Sequence, residues 1–213
     1  MDATALSWIA TIVTVAYFLA PVFAIRRIHS TGTVGNTGFF PFVSMFVNCA
    51  LWCKYGLLVP DRAIALVNGT GLVLSIIYMG VYYINHQDRD ALDKHLLLAS
   101  LVVYPTLIYS QFVTLDTATR HVGLIACVCS IVMFGSPLSA LRRVLAARNA
   151  SAMSLPVVSM SFVTTALWTW YGALIDDTNV IVPNGIGLVL AVVNLVVIGW
   201  FGRGEGGEYR RVM

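Results

Sequence analysis

The sequence predicts an all-α, polytopic membrane protein of seven transmembrane helices, arranged as two parallel three-helix bundles joined by a linker helix (3+1+3). Three observations carry this expectation. Of 213 residues, 58% are hydrophobic and only 11% charged, with a mean hydropathy of +0.82. A water-soluble domain has roughly 45–50% apolar and about 25% charged residues, so a soluble enzyme or regulator is excluded. The charges are also clumped: only Asp2 is ionisable before Arg26 among Asp, Glu, Lys and Arg, and none of these types occurs between His121 and Leu141. Finally, the chain repeats itself.

Apolar runs separated by short polar joints give the elements in order. The first, 4–27, lacks a preceding basic segment, exceeds a signal-peptide core in length and ends on Arg26-Arg27, so it reads as a retained helix. A joint rich in Gly, Thr and Asn (28–38) leads to the second run, 39–59, and the short joint 60–62 to the third, 63–84. Polar residues 85–94 precede the fourth run, 95–115; the fifth covers 121–145, the sixth 154–175 and the seventh 179–201. About 20 residues rising about 1.5 Å each cross a roughly 30 Å hydrocarbon core. The organisation is therefore a first repeat over 4–84, a linker helix over 95–115, a second repeat over 121–201 and a tail over 202–213, rich in Gly and charge. Cys49, Cys53, Cys127 and Cys129 all fall within apolar runs and read as small core residues rather than disulfides or metal ligands. No cofactor or metal is expected.

Lys and Arg orient the chain. With the N-terminus outside, the inner loops and tail hold Arg26, Arg27, Arg89, Lys94, Arg142, Arg143, Arg148, Arg203, Arg210 and Arg211. Lys54, Arg62 and Arg120 fall outside. This bias places the N-terminus extracytoplasmic and the C-terminus in the cytoplasm.

The repeat has a spacing of 116. Ala20-Pro21-Val22-Phe23-Ala24-Ile25-Arg26-Arg27-Ile28 resembles Ser136-Pro137-Leu138-Ser139-Ala140-Leu141-Arg142-Arg143-Val144. Ala50-Leu51-Trp52-Cys53-Lys54-Tyr55-Gly56 resembles Ala166-Leu167-Trp168-Thr169-Trp170-Tyr171-Gly172, and Asn68-Gly69-Thr70-Gly71-Leu72-Val73-Leu74 differs from Asn184-Gly185-Ile186-Gly187-Leu188-Val189-Leu190 at one residue. Pro41 and Pro156 pair at 115, one residue having moved from loop to helix. Two adjacent three-helix units would point in opposite directions, so the unmatched fourth helix brings both copies into one orientation. This is a parallel repeat about an axis along the membrane normal.

Trp52 and Asn68 lie roughly 9–12 Å below the outer joint, near the midplane, at about 1.5 Å per residue; Trp168 and Asn184 repeat that depth. Two amides and two indoles facing across a two-fold axis suit a neutral polyhydroxylated ligand, because amides donate to and accept from hydroxyls while indole faces stack on sugar C–H surface. The alternative is structural: asparagines bridging helices, with neighbouring glycines allowing close packing. Pro21, Pro41, Pro137 and Pro156 fall at similar depth in the cytoplasmic third, where four kinks would make either a hinge around the inner mouth or a packing device. At the outer mouth Tyr55 and Tyr171 are repeat mates, Asp176 and Asp177 cap the sixth span, and Lys54 replaces the Trp of its mate, Trp170. An ammonium there must snorkel outward or pair with an acid, so a Lys54 contact with Asp177 or Asp176 is expected to help close the outer gate. The sequons at Asn68 and Asn149 would lie in the bilayer and the cytoplasm and stay unmodified. The four histidines sit at joints rather than in a relay.

The 3+1+3 plan, the four prolines and the paired Trp/Asn resemble the SWEET (MtN3/saliva) sugar transporters, over about residues 5–201. The resemblance implies that Asn68, Asn184, Trp52 and Trp168 bind substrate. It also implies size-selecting pocket residues at Asn48 and Thr164, one turn before each Trp, and at Tyr17 and Met133, one turn before the prolines. The bulk of Tyr17 and Met133 points to a monosaccharide, a glucose-like hexose. The same resemblance implies a proline-tetrad hinge, an outer gate using a Tyr and Asp177, and a homo-oligomer, trimers among them.

With no Asp, Glu or His near the midplane, nothing is present to bind a driving ion. A bidirectional facilitative uniporter for a small neutral sugar, working by alternating access in the plasma membrane or an endomembrane (vacuolar or Golgi), is the expectation. Its rivals are a sugar or polyol channel-like pore and a non-transporting seven-helix receptor or scaffold. No nucleophile triad, phosphate loop or metal motif points to an enzyme, and nothing points to nucleic acid.

Overall fold

The computed structural model describes residues 2–151 and 153–202, with the backbone alone at 135–137. Among the described residues there are nine helical segments and no strand: α1 (Ala3–Phe18), α2 (Val22–Thr31), α3 (Phe40–Leu58), α4 (Arg62–Ile84), α5 (Arg89–Tyr109), α6 (Leu115–Met133), α7 (Gly135–Ala147), α8 (Leu155–Leu174) and α9 (Thr178–Phe201). They make seven rods, because α1 with α2 forms one apolar stretch, Ala3–Thr31, and α6 with α7 another, Leu115–Ala147. Six of the rods are long and apolar enough to cross a bilayer. The remaining one, α8, carries no charge over its 20 residues; Ser, Thr, Trp and Tyr lower its hydropathy. Apart from Gly202, the tail expected over 202–213 lies outside the described residues.

The edges differ from the sequence pattern where polar residues begin or interrupt a helix. The first rod is broken at 19–21 and runs on to Thr31. α5 starts at Arg89, not 95, because the charges of its first turns, Arg89, Asp90, Asp93 and Lys94, are exposed and need no apolar environment. α6 correspondingly starts at Leu115, with Thr117 N–H donating to Thr114 Oγ1 at 3.4 Å.

The contacts group the chain into two compact units, 14–129 and 1–13 with 130–213. α1 is thus divided at Val13/Thr14 and α6 at Cys129/Ser130. In the first unit α3 packs along α4 and also against α5. Its buried cluster at the end bearing Arg26-Arg27 includes Ile28, Phe39, Phe42, Val43, Tyr78, Tyr82 and Leu92. In the second unit α8 packs along α9, and Val144, Ala150, Met153, Val197 and Ile198 form the corresponding cluster.

The four prolines do not form four equivalent kinks. Pro21 caps α2 at the break after α1, and Pro137 lies in the first turn of α7, just past the break at Phe134. Pro41 and Pro156 stand in the opening positions of α3 and α8, where the missing N–H would have had no helical partner. Two of the expected kinks are therefore helix starts. The prolines inside helices are Pro105 and Pro183.

Candidate functional site

Each repeat builds one constellation from a locked helix turn downward. The Asp61 side chain accepts from Ile64 N–H at 3.0 Å. Asp177 accepts likewise from Asn179 N–H at 2.9 Å and Val180 N–H at 3.4 Å. Asp61 N–H donates to Gly56 O at 2.8 Å and Asp177 N–H to Gly172 O at 2.9 Å. One aspartate thus closes the preceding helix with its backbone and starts the next with its side chain. The paired helices can approach this closely because position 56 or 172 has no side chain. A Cβ on Gly56 would lie 2.5 Å from Ala65 N, and one on Gly172 would lie 3.1 Å from Ile181 N.

That turn fixes the depth of the paired residues below it. Trp52 and Tyr55 meet edge to face at 5.4 Å, and Trp168 and Tyr171 at 5.6 Å; all four are buried. Asn68 donates from Nδ2 to Ile64 O at 2.9 Å, and Asn184 to Val180 O at 2.8 Å. Each amide is oriented by its own helix, while Oδ1 and the second N–H stay available to a ligand hydroxyl. One turn further on, Gly71 and Gly187 each seat an aromatic ring. A Cβ on Gly71 would lie 2.6 Å from Phe18 and 2.5 Å from Cys49 Sγ; one on Gly187 would lie 2.8 Å from Phe134 and 3.0 Å from Thr165. Each pair of contacts is related by the repeat spacing.

The first unit therefore contains Tyr17, Asn48, Trp52, Lys54, Tyr55 and Asn68. The second contains Met133, Thr164, Trp168, Tyr171, Asp176, Asp177 and Asn184. Tyr17 and Met133 are half-buried beside the two helix breaks, and Asn48 is half-buried on α3. Thr164 is 9% exposed, and its Oγ1 has no hydrogen-bond partner among the described residues. A buried hydroxyl in that state costs about 1–3 kcal/mol. Lys54 is half-buried while its mate Trp170 is exposed. The expectation that Asp176 and Asp177 together cap the sixth span is corrected: Asp176 is exposed in a left-handed turn at φ 56, and Asp177 is the N-cap of α9.

Sequence reasoning missed Asp61 as the mate of Asp177, and Phe18 and Phe134 as ring seats. Both pairs carry identical residues at the 116 spacing. All four cysteines are free. Among the described residues no cluster of His, Cys, Asp or Glu could hold a metal ion.

Residues 4–90 and 120–204 match the MtN3/saliva family, described as "Sugar efflux transporter for intercellular exchange". The chain is 31% identical to the sugar transporter SWEET1 of Drosophila pseudoobscura pseudoobscura, over 89% of this chain and 85% of that one. It is 30% identical to the sugar transporter SWEET1 of Dictyostelium discoideum, over 92% and 91%. A solved structure, "The 3.7 A resolution structure of a eukaryotic SWEET transporter", superposes with a TM-score of 0.82 at 25% identity, covering 93% of this chain and 96% of that one. With the repeat, the seven rods and these matches in agreement, the chain is an integral multi-pass membrane protein of 3+1+3 architecture and belongs to the SWEET (MtN3/saliva) family.

Proposed function

We propose that the protein is a facilitative carrier of a small neutral sugar, moving it downhill in either direction by alternating access, with a glucose-like hexose preferred over a disaccharide. The observation that carries this reading is the duplicated pair Trp52/Asn68 and Trp168/Asn184, each Asn oriented by its own helix and each Trp buried against a Tyr. Stacking surface and amide hydrogen bonding are what a sugar ring offers partners for. Relatives named sugar transporters support it, and three from Arabidopsis thaliana are named bidirectional.

In this reading Asn48, Thr164, Tyr17 and Met133 complete the pocket. The breaks at Pro21 and Pro137 bend, and Pro41 and Pro156 fix the helix starts that move with them. Tyr55, Tyr171, Asp177 and Asp176 close the outer mouth, with Lys54 paired to one of the acids. The N-terminus faces away from the cytoplasm, the protein resides in the plasma membrane or an endomembrane, and copies assemble as homo-oligomers, trimers being among the forms the family resemblance implies.

Counterflow of labelled glucose into liposomes containing the purified protein tests the reading. Wild type accumulates label transiently; Asn68→Ala and Asn184→Ala each lose at least tenfold of the rate. Intact counterflow in both variants would remove the assignment, and flux without counterflow would favour a pore. An imposed pH gradient at a fixed sugar gradient leaves the rate unchanged, since no carboxylate or histidine is placed to carry a coupled proton.

A further inference from the structure

The two helix breaks are repeat mates built differently. At the first, Val22 N–H donates to Leu19 O at 3.0 Å and Ala20 N–H to Tyr17 O at 3.1 Å. These shifted bonds leave the Phe18 carbonyl without Val22, its helical donor. It accepts instead from the Tyr78 hydroxyl at 2.9 Å. Tyr78 is 2% exposed, and its ring packs against Phe42 with centroids 5.8 Å apart. Since the Phe18 ring rests on Gly71, this residue is held to α4 by both backbone and side chain. α4 is also the helix of Asn68.

At the second break the ring seat recurs on Gly187, but the carbonyl does not need a tyrosine. Phe134 O keeps its helical donor, Leu138 N–H, at 3.0 Å. The position corresponding to Tyr78 is Asn194. It is 6% exposed, and its Oδ1 has no hydrogen-bond partner among the described residues.

We propose that Tyr78 is a positioning residue of the carrier: its hydroxyl latches the first hinge in its bent form and so sets Tyr17 against the pocket. Straightening the hinge returns Val22 N–H to Phe18 O, and the latch then has nothing to hold. The Tyr78 bond therefore favours one conformation over the other, the condition for biasing an equilibrium between them. Among the described residues the second hinge has no such latch, which makes it the freer of the two. This inference rests on the alternating-access reading above.

Two measurements on the full chain test it, with Tyr78→Phe removing only the hydroxyl. The first is glucose uptake and glucose release, each downhill, in cells lacking their own sugar carriers. Losing a bond made in one conformation shifts the ratio of the two half-saturating concentrations about three- to tenfold, the range expected for one neutral hydrogen bond. A merely structural defect would lower both maximal rates and leave that ratio alone. The second is hydrogen–deuterium exchange in lipid nanodiscs, which needs no transport. Amides of 18–25 exchange severalfold faster in Tyr78→Phe, and those of 134–141 are unaltered. Where wild type carries sugar, the latch stands only if both readouts move; an unchanged ratio or unchanged exchange at 18–25 overturns it. If the variant does not fold, wild-type exchange decides: the latch requires 18–25 to be slower than 134–141, and equal rates refute it. Wild type that carries no sugar while exchange still accelerates would sink the transport reading and leave the latch as a property of the fold.

Discussion

At the end bearing the first Arg pair, Phe39, Phe42, Tyr78 and Tyr82 pack into a buried aromatic cluster of tilted and edge-on rings, with Phe39–Tyr82 centroids 5.0 Å apart and Tyr82 Oη donating to Thr37 O at 2.8 Å. The corresponding positions of the second repeat are Ser154, Val157, Asn194 and Ile198. There Ser154 and Val157 are exposed, and Asn194 keeps a buried acceptor without a partner among the described residues. The opposite ends, by contrast, carry the same aspartate cap, the same glycine approach and the same Trp–Tyr pair. Duplication has therefore kept the locked turns alike and let the ends bearing the helix breaks diverge. Under the carrier reading proposed above, the end that meets the sugar demands matching geometry in both copies and the other end does not.

The locked turns are the place to break that comparison hardest. Gly56→Ala places a methyl 2.5 Å from backbone nitrogen, which cannot yield without moving α4, so a loss of about 3 kcal/mol is expected. Gly172→Ala meets mainly Cγ1 atoms at 3.0 Å, which can rotate, and costs about 1 kcal/mol. Thermal unfolding in detergent separates the two; equal losses would mean the turns are equally tight. Asn194→Leu is expected to raise stability by about 1–2 kcal/mol by removing a buried unsatisfied acceptor, and a fall in unfolding temperature would show that Asn194 is satisfied after all. Tyr78→Phe costs about 1 kcal/mol in the same assay. The smallest effect is at the C-cap of α7. Gly32 closes α2 at φ 67, whereas its mate Arg148 closes α7 at φ 50. A left-handed arginine is strained, so Arg148→Gly gains up to about 1 kcal/mol.

Helix number and the repeat were legible in the sequence because charge is too costly to hide in a bilayer and the glycines, asparagines and tryptophans recur in register. Trp52, Asn68 and their mates were legible for the same reason. What was not legible depended on backbone hydrogen bonding. Polar α5 residues look like a joint until their exposure is known. Pro41 resembles Pro21 as a residue, yet one starts a helix and the other interrupts a rod. Tyr78 is one tyrosine among nine, and only the stranded Phe18 carbonyl singles it out. Asp61 was hidden differently: its neighbours Pro60 and Arg62 do not match Asp176 and Thr178, so the identity of the cap was lost in a dissimilar joint.

The seating of Phe18 and Phe134 on bare glycines has a consequence for leakiness. A ring in contact with a helix without an intervening side chain can slide along it but cannot lift off without opening a void. Each broken rod is thereby confined to its own track while its angle changes. In a carrier, two such tracks with unequal resistance would impose a sequence on the movement: the unlatched side yields first, and the latched side follows. A rod that slides on its neighbour without lifting away keeps that flank packed at every angle, so no gap for water or ions opens beside it.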